Sequence, residues 1–288
     1  MKKSIILLAL PALALTGCAS AITAAEAKEA ATKIAEHKFT DEELKEFKAL
    51  TLSADVKMEM SGKVGGKEGA MKEDAVTLIE ISADKKFVHT KVEVKDSEKE
   101  GDKEESGEMF QEAWLYVKDG AFYSVTHSKS HSTGEDSELK QYYVLEGVEE
   151  AVSQGFEKAL LESVKSAVVA ASGSEYMSEV IASAEEQPAD SPVKYDVKYA
   201  SSGDGSLVFK GTAEYENYEY EGVKTSGSAK AKYVWEDYLL TEAAASMKLH
   251  GEEGENVIDV SMEVKESLKF KAKVSYPSLD GFEKVSLL

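Results

Sequence analysis

Apolar and polar side chains alternate with a period of two residues along most of this chain, and this alternation constrains the fold more than any other feature. Val56, Met58 and Met60, for example, are separated by single charged residues. Because successive side chains of a β-strand point to opposite faces, each such segment predicts a strand with one dry and one wet face. Short connections such as Asp119-Gly120 join antiparallel strands. The pattern therefore predicts an antiparallel sheet of about 11–13 strands.

Two regions show helical patterns instead. Residues 40–43 match a capping box, which predicts a helix over about residues 41–50. Apolar residues recur every four positions over 148–171, which predicts a helical insert at about residues 147–187. A sheet this wide tends to curl, and helices are the usual cover for its dry face. The predicted fold class is α+β: a strongly curved antiparallel sheet, or half-barrel, with helices covering the concave face and an N-terminal helix before it.

The first eighteen residues have the pattern of an exported lipoprotein. Lys2 and Lys3 precede a short apolar stretch that ends in Leu15-Thr16-Gly17-Cys18. This stretch is too short to span a bilayer, which takes about 20 apolar residues, so residues 1–17 are predicted to be a cleaved signal peptide. Cys18 is the only cysteine in the chain. We expect a covalent lipid on its thiol and no other cofactor.

The same interpretation predicts the domain organisation and the location. Residues 18–38 should form a lipidated helical tether, and residues 39–288 a single β-rich domain. Stable anchoring takes two or more acyl chains. The lipid would hold the protein in the cell envelope, on the outer leaflet of the plasma membrane, or on the outer membrane if the host has one. The membrane is thus an expected partner, and any protein partner stays unknown.

The charge of the chain argues against some partners. The formal net charge is −20, and all 34 basic residues are lysine. Such a charge repels nucleic acid and anionic lipid head groups, so we expect no nucleic-acid partner. Without guanidinium groups, the chain also lacks the bidentate fork that recognises phosphate and carboxylate groups.

Sequence signals for catalysis or metal binding are weak. The glycine-rich segment 62–69 lacks the spacing and the Ser or Thr of a phosphate-binding loop. Segment 96–107 lacks the final acidic ligand of a calcium loop. His127 and His131 would share one face of a strand, but spacing fixes no third ligand, and residues 127–138 are predicted to be a solvated loop. We therefore predict that the protein is not an enzyme, with no catalytic residue and no metal site.

Four features of the chain resemble the LolA/LppX-like lipoproteins. They are the lipobox followed by a helix, the segment from Ala113 to Tyr123, the helical insert between two β blocks, and the ending from Val274 to Phe282. The resemblance covers most of the chain after Cys18. It implies an unclosed, strongly curved β-barrel with helices in its concavity, and a lipid or acylated ligand bound between the sheet and the helices. An arginine-dependent carrier mechanism cannot be transferred to a chain without arginine.

The candidate ligand-binding residues are the apolar side chains that should point to one side of the sheet. They are Val56, Met58, Met60, Val92, Val94, Leu115, Val117, Val197, Phe209, Leu268, Phe270 and Val274. Methionine suits such a wall because its side chain is flexible and polarizable. The favoured function is an envelope carrier or chaperone for a hydrophobic or acylated ligand. Alternatively, these residues form an ordinary filled core, and the protein is a non-catalytic structural, adhesive or antigenic surface lipoprotein.

Overall fold

The computed structural model describes residues 19–132, 135–172, 181, 191, 193–220, 223–270 and 274–286. Cys18 and the predicted signal peptide lie outside these residues, as does most of the predicted insert after Ser172. The helices are α1 (Ala24–Glu36), α2 (Asp41–Glu46) and α3 (Glu150–Ser172). The strands are β1 (Ser20–Ile22), β2 (Ala49–Val64), β3 (Lys67–Ser82), β4 (Phe87–Glu100), β5 (Lys103–Lys118), β6 (Ala121–Ser132), β7 (Glu135–Glu146), β8 (Val193–Ser201), β9 (Leu207–Tyr220), β10 (Val223–Glu236), β11 (Leu239–Glu253), β12 (Asn256–Lys269) and β13 (Glu283–Lys284).

All of these strands belong to one sheet. Its order is β1-β8-β9-β10-β11-β12-β2-β3-β4-β5-β6-β7-β13, and every pair is antiparallel except β7 with β13. Most neighbours in the sheet are also neighbours in sequence, joined by hairpins. The pairing of β12 with β2 joins the two β blocks of the chain, so both blocks form one continuous surface.

Tight turns of the expected kind close the hairpins. Asp119 and Gly120, predicted as a turn, have φ values of 50° and 74°, which is the positive φ that a type I′ turn requires at both positions. A second tight turn lies at Asp237 and Tyr238, which have positive φ values of 51° and 65°.

The register of the strands gives the sheet two different faces. Residues directly opposite each other on neighbouring strands point the same way, and Val56 lies in one row with Val264, Ala75 and Val94. The side to which Val56 points is here called the apolar face. The opposite side, to which Lys57 points, is called the charged face.

The two ends of the strands also differ. At the near end, β2 begins and β3 and β8 end. There α3 is held by Lys86, whose ammonium group lies 2.8 Å from the Ser153 hydroxyl and 3.4 Å from the Glu157 carboxylate. At the far end the hairpins turn, for example at Gly65-Gly66 and Gly254-Glu255.

None of the described helices is both long and apolar enough to cross a membrane.

The helix α2 begins at the predicted capping box. The Thr40 hydroxyl accepts a hydrogen bond from the Glu43 N–H, and the Glu43 carboxylate accepts one from the Thr40 N–H at 2.7 Å. This arrangement confirms the box and satisfies two backbone donors that a helix start otherwise leaves free. The helix ends earlier than predicted, at Glu46, because Ala49 already belongs to β2.

The helix α1 builds the first core cluster on the apolar face. Ala27, Ala31 and Ile34 lie on one side of the helix and are fully buried. They pack together with Phe209 and Trp235 of the sheet. Burial of a side chain such as Ile34 contributes about 1.5–3 kcal/mol, so α1 is a packed part of the domain.

The second core cluster lies where α2 and α3 meet the near end of the sheet. Val168 and Ala171 of α3 are buried there with Leu239 of β11. Phe39 and Phe47, on either side of α2, pack against them. The predicted insert therefore contributes one amphipathic helix to the core, with its apolar side on the sheet.

The third core cluster lies on the charged face, where the alternation predicts none. Phe87 and Trp114 are buried beneath the C-terminal segment 274–286, which supplies Tyr276 to the cluster. The Tyr276 hydroxyl donates a hydrogen bond to the carbonyl oxygen of Lys85 at 3.1 Å. The chain end thus covers part of a face that is elsewhere open to water.

Residues 127–138 were predicted as a loop, but those that the structure describes, 127–132 and 135–138, lie in paired strands. β6 continues to Ser132, and β7 begins at Glu135. Ser128 and Ser130 of β6 point toward the apolar face in this register. Polar residues occupy both sides here, so the segment has no hydrophobic alternation to detect.

The predicted half-barrel with helices covering its concave face is wrong. The structure is one large thirteen-stranded sheet, and α3 is the one long helix among the described residues. A helix of 23 residues is about 35 Å long, whereas thirteen strands spaced by about 4.8 Å extend over roughly 60 Å. The helices therefore cover only part of the apolar face, and they leave its far end open.

Candidate functional site

The register places most of the candidate ligand-binding residues on the apolar face. Ten share the side of Val56 in the paired rows: Val56, Met58, Met60, Val92, Val94, Leu115, Val117, Val197, Phe209 and Leu268. Phe270 lies just beyond β12, where its ring is 5.3 Å from that of Phe47. Val274 instead packs on the charged face with the cluster around Phe87.

These residues do not share one environment. Phe209 is fully buried beneath α1, so it belongs to the packed core. Met60 and Leu115 are 41% and 38% exposed, although they point to the same face. The structure thus divides the set into residues buried in the core and residues left exposed, with Met60 toward the far end and Leu115 toward the near end.

Exposed apolar side chains occur toward both ends of the apolar face. Eight of the large hydrophobic residues that are strongly exposed in the described chain point to it. They are Met60, Val64, Met109, Leu115, Leu139, Leu145, Tyr195 and Ile258. Met60, Val64 and Ile258 lie together at the far end, whereas Leu115 and Leu145 lie toward the near end. A group of exposed apolar side chains such as the one at the far end marks an interaction site.

Methionines form a strip across the apolar face. Met247, Met262 and Met58 stand opposite each other on three neighbouring strands, and Met60 and Met71 form the adjacent pair. These five residues are here called the methionine strip. Their unbranched, polarizable side chains can adapt to ligands of different shape.

A hollow of about 350 Å³ lies at the far end of the same face, and is here called the apolar hollow. Met60, Met71, Val64 and Ile258 supply its apolar side chains. Gly62 lies at the floor of the hollow. A side chain would not fit at this position, because a Cβ atom there would lie 2.3 Å from the carbonyl oxygen of Val257. Among the described residues, none of those that line this hollow belongs to a helix.

The charged face carries rows of paired charges. Lys72 lies 2.9 Å from Glu59, and Lys95 lies 3.1 Å from Glu108. These pairs are largely exposed, so each contributes little to stability, about 0–1 kcal/mol. Their effect is to keep this side of the sheet soluble.

A larger hollow of about 620 Å³ opens on the charged face, and is here called the charged trough. Most of the strands that line it contribute side chains two residues apart, such as Glu59 and Ser61 of β2. Ser97 of β4 and Ser226 of β10 line opposite walls. Five strand spacings of about 4.8 Å would separate these walls by roughly 24 Å in a flat sheet. The sheet therefore bends toward its charged face here.

The histidines that the sequence suggested as metal ligands contact different carboxylates. His127 lies 2.9 Å from Glu138, and His131 contacts Asp136. Lys140, His127 and Lys129 together lower the pKa of Glu138 to about 2. Within the described ranges, no group of three or more His, Cys, Asp or Glu side chains is arranged to hold a metal ion.

The imidazole of His250 gives a testable pH dependence. Hydrogen bonds to Asp259 (2.8 Å) and Glu252 (3.0 Å) raise the pKa of His250 above its ordinary value of 6.5. Because the pKa is higher in the folded state, protonated His250 stabilises the fold. This contribution to stability is fully present below the pKa of the unfolded state and is lost as the pH rises through the pKa of the folded state. We expect Asp259→Asn to lower the pKa of His250 in an NMR titration of its ring protons. Glu255→Gln, in the nearby turn, should leave it unchanged, and equal shifts in both variants would contradict this.

A buried imidazole lies on the charged face, and sequence reasoning missed it. His89 Nδ1 is 2.8 Å from Glu80, Nε2 is 2.9 Å from Glu112, and the ring stacks on Trp114 with centroids 5.0 Å apart. Each ring nitrogen of His89 thus has a carboxylate within hydrogen-bond distance. Phe282 contacts Trp114 from the C-terminal segment. The cluster is a buried polar network, recognisable only once the strand register is known.

No family model and no curated protein matches the chain. The translocator domain of autotransporter NalP from Neisseria meningitidis is a similar solved structure, at 9% identity and a TM-score of 0.22, over 84% of this chain and 94% of that chain. The beta-barrel-like protein of DUF1849 from Brucella abortus has 8% identity and a TM-score of 0.18, over 77% and 98%. OprB from Pseudomonas putida has 8% identity and a TM-score of 0.20, over 79% and 95%. TM-scores this low carry no argument about fold or function.

Proposed function

We propose that this protein is a lipoprotein of the cell envelope that holds the apolar chain of a lipid or acylated molecule on the open part of its apolar face. In this proposal the covalent lipid on Cys18 anchors the protein, and the ligand is a second molecule. The supporting observation is the group of exposed apolar side chains at the far end, where Met60, Val64 and Ile258 line the apolar hollow. An apolar ligand would remove this surface from water.

The methionine strip suits a flexible acyl chain. Covering apolar surface contributes about 2.5 kcal/mol for each 100 Å² removed from water. Thioether side chains can change rotamer to follow a chain without a fixed shape. The ligand class that fits this surface is therefore a long aliphatic chain and not a rigid or strongly polar molecule.

We assign part of the aliphatic ligand chain to the apolar hollow. Its volume of about 350 Å³ lies at the lower end of the range for ligand pockets, about 300–1,000 Å³. The ion pair of Lys67 and Glu100 (2.8 Å) stands at its rim and is largely exposed. Because such pairs contribute little, a polar head group could replace one partner at small cost.

A fluorescent fatty acid, dansyl-undecanoic acid, tests this proposal. The titration uses the mature chain with Cys18→Ser, so that no covalent lipid competes for the surface. We expect Met60→Lys to weaken binding at least about tenfold, because covering an ammonium group with an aliphatic chain costs more than about 1.4 kcal/mol. Ser61→Lys adds the same charge one residue away on the charged face, and it should bind like the unsubstituted chain.

Two outcomes would count against the proposal. Equal weakening by both lysines would mean that the probe responds to charge and not to the methionine strip. No binding by the unsubstituted chain would favour the second candidate, a non-catalytic structural or adhesive surface lipoprotein. The ion-paired rows of the charged face, which resemble an ordinary solvated surface, support that candidate.

A further inference from the structure

The first residues that the structure describes, directly after the proposed anchoring position, already belong to the folded domain. Ala19 is half-buried, and Ser20 already pairs with Ser201 at the end of β8. The strand β1 continues to Ile22, which stands opposite Tyr199. A single residue, Ala19, therefore separates Cys18 from the sheet.

The next segment fixes this attachment. Thr23 caps α1, accepting a hydrogen bond from the Glu26 N–H while its own N–H donates to the Glu26 carboxylate at 2.7 Å. The helix is then held by the fully buried Ala31 and Ile34. Because this attachment is rigid, the position of the anchor determines the orientation of the whole sheet.

The attachment lies at the near end, at the edge strand β1. The surface around it consists of one side of α1 and the connection between β8 and β9. Glu26, Glu29 and Asp204 place carboxylates there, with Lys33 among them. This composition suits zwitterionic head groups better than anionic ones, which would be repelled.

The apolar hollow lies at the opposite end of the strands. A strand of 16 residues such as β2 extends about 50 Å at about 3.3 Å per residue. Val64 and Gly69, which line the hollow, stand at the far end of β2 and β3. The hollow is therefore separated from the anchored corner by nearly the full length of the sheet.

We propose that the protein stands on a zwitterionic lipid surface with its near-end corner, formed by β1, the start of α1 and the β8–β9 connection. The far end, with the apolar hollow, then lies tens of ångströms from the bilayer. This inference rests on the lipidation of Cys18 in the proposed function. It implies that the aliphatic ligand is exchanged with a partner away from the membrane surface and is not drawn directly from the bilayer beneath.

Energy transfer from the acylated, full mature chain to its membrane tests this orientation. Acylation blocks the only native thiol, so a cysteine introduced by Ala25→Cys in α1 or by Glu255→Cys in the β11–β12 turn can be labelled alone. Both positions are exposed. The labelled proteins are placed on phosphatidylcholine vesicles that carry an acceptor dye on a fraction of the head groups. We expect transfer from position 25 to exceed transfer from position 255 by more than about twofold, because the strands separate the two positions by about 45 Å.

Two results would overturn the orientation in distinguishable ways. Equal transfer from both positions, or stronger transfer from position 255, in a protein whose acylation is verified by mass spectrometry, would show that the sheet lies flat or inverted. An unmodified Cys18 would remove the anchor itself, and with it the basis of the orientation. The fatty-acid titration on the soluble chain is independent of both, so failure of ligand binding can be told apart from failure of this inference.

Discussion

Replacing Cys18 by serine should release the protein completely from the membrane fraction. The chain contains no other cysteine, so no second thiol can carry a thioether-linked lipid. Covalent acyl chains contribute about 0.8 kcal/mol for each buried CH₂ group. The acidic chain, with its net charge of −20, gains nothing from anionic head groups in their place. The effect should therefore be close to all-or-none.

Sedimentation of membranes from cells that express each variant measures this release. Ala19→Ser is the matched control, because it changes the neighbouring residue and leaves the thiol in place. It should stay with the membranes. Mass spectrometry of the N-terminal peptide should find the lipid in the control and none in Cys18→Ser. Retention of Cys18→Ser on membranes would contradict the anchor and would point to attachment through the folded domain.

Replacing Phe209 by alanine should lower the free energy of unfolding by about 3–5 kcal/mol. The ring is fully buried, 5.8 Å from the ring of Tyr199 and 6.1 Å from that of Tyr233, with α1 packed over it. Removing it loses the burial energy and leaves a cavity that α1 cannot fill without moving. For a domain of this size the melting temperature should fall by roughly 10 °C.

The matched variant is Met60→Ala. Both residues were candidates for one ligand-binding wall, and both point to the apolar face, yet Met60 is 41% exposed. We expect its loss to change the free energy of unfolding by less than about 1 kcal/mol, measured for both variants by urea denaturation followed by circular dichroism. Similar losses in the two variants would mean that Met60 is core and would remove the main support for an open apolar surface.

Much of the secondary structure could be predicted because its causes are local. The alternation at Val56, Met58 and Met60 predicted a strand, and β2 contains all three. The positive φ values at Asp119 and Gly120 follow from the conformational tolerance of those two residue types. The capping box at Thr40 and Glu43 likewise depends on four consecutive residues. In each case the chain segment itself contains the interacting groups.

Other strands were missed because their stabilisation is not local. Between His127 and Glu138 nearly every residue is polar, so hydrophobicity shows no period of two. The strands form through ladder hydrogen bonds and cross-strand contacts, such as the hydroxyls of Ser130 and Ser137 at 2.8 Å. The contacts of His89 with Glu80 and Glu112 could not be predicted for the same reason, since three different strands bring those groups together.

The sequence alone determined which side chains share a face of the sheet, because the pleat of a strand makes that a matter of odd and even positions. Only the tertiary structure decided which of them are covered. Phe209 lies under a helix, whereas Met60 does not. This difference depends on the lengths of α1 and α3 and on where they pack on the sheet, and packing between distant segments sets both. Packing between distant segments also decided two other features. The sheet bends toward its charged face at the charged trough, and the C-terminal segment covers Phe87. These outcomes follow from the sum of many weak contacts across the sheet, which no local pattern encodes.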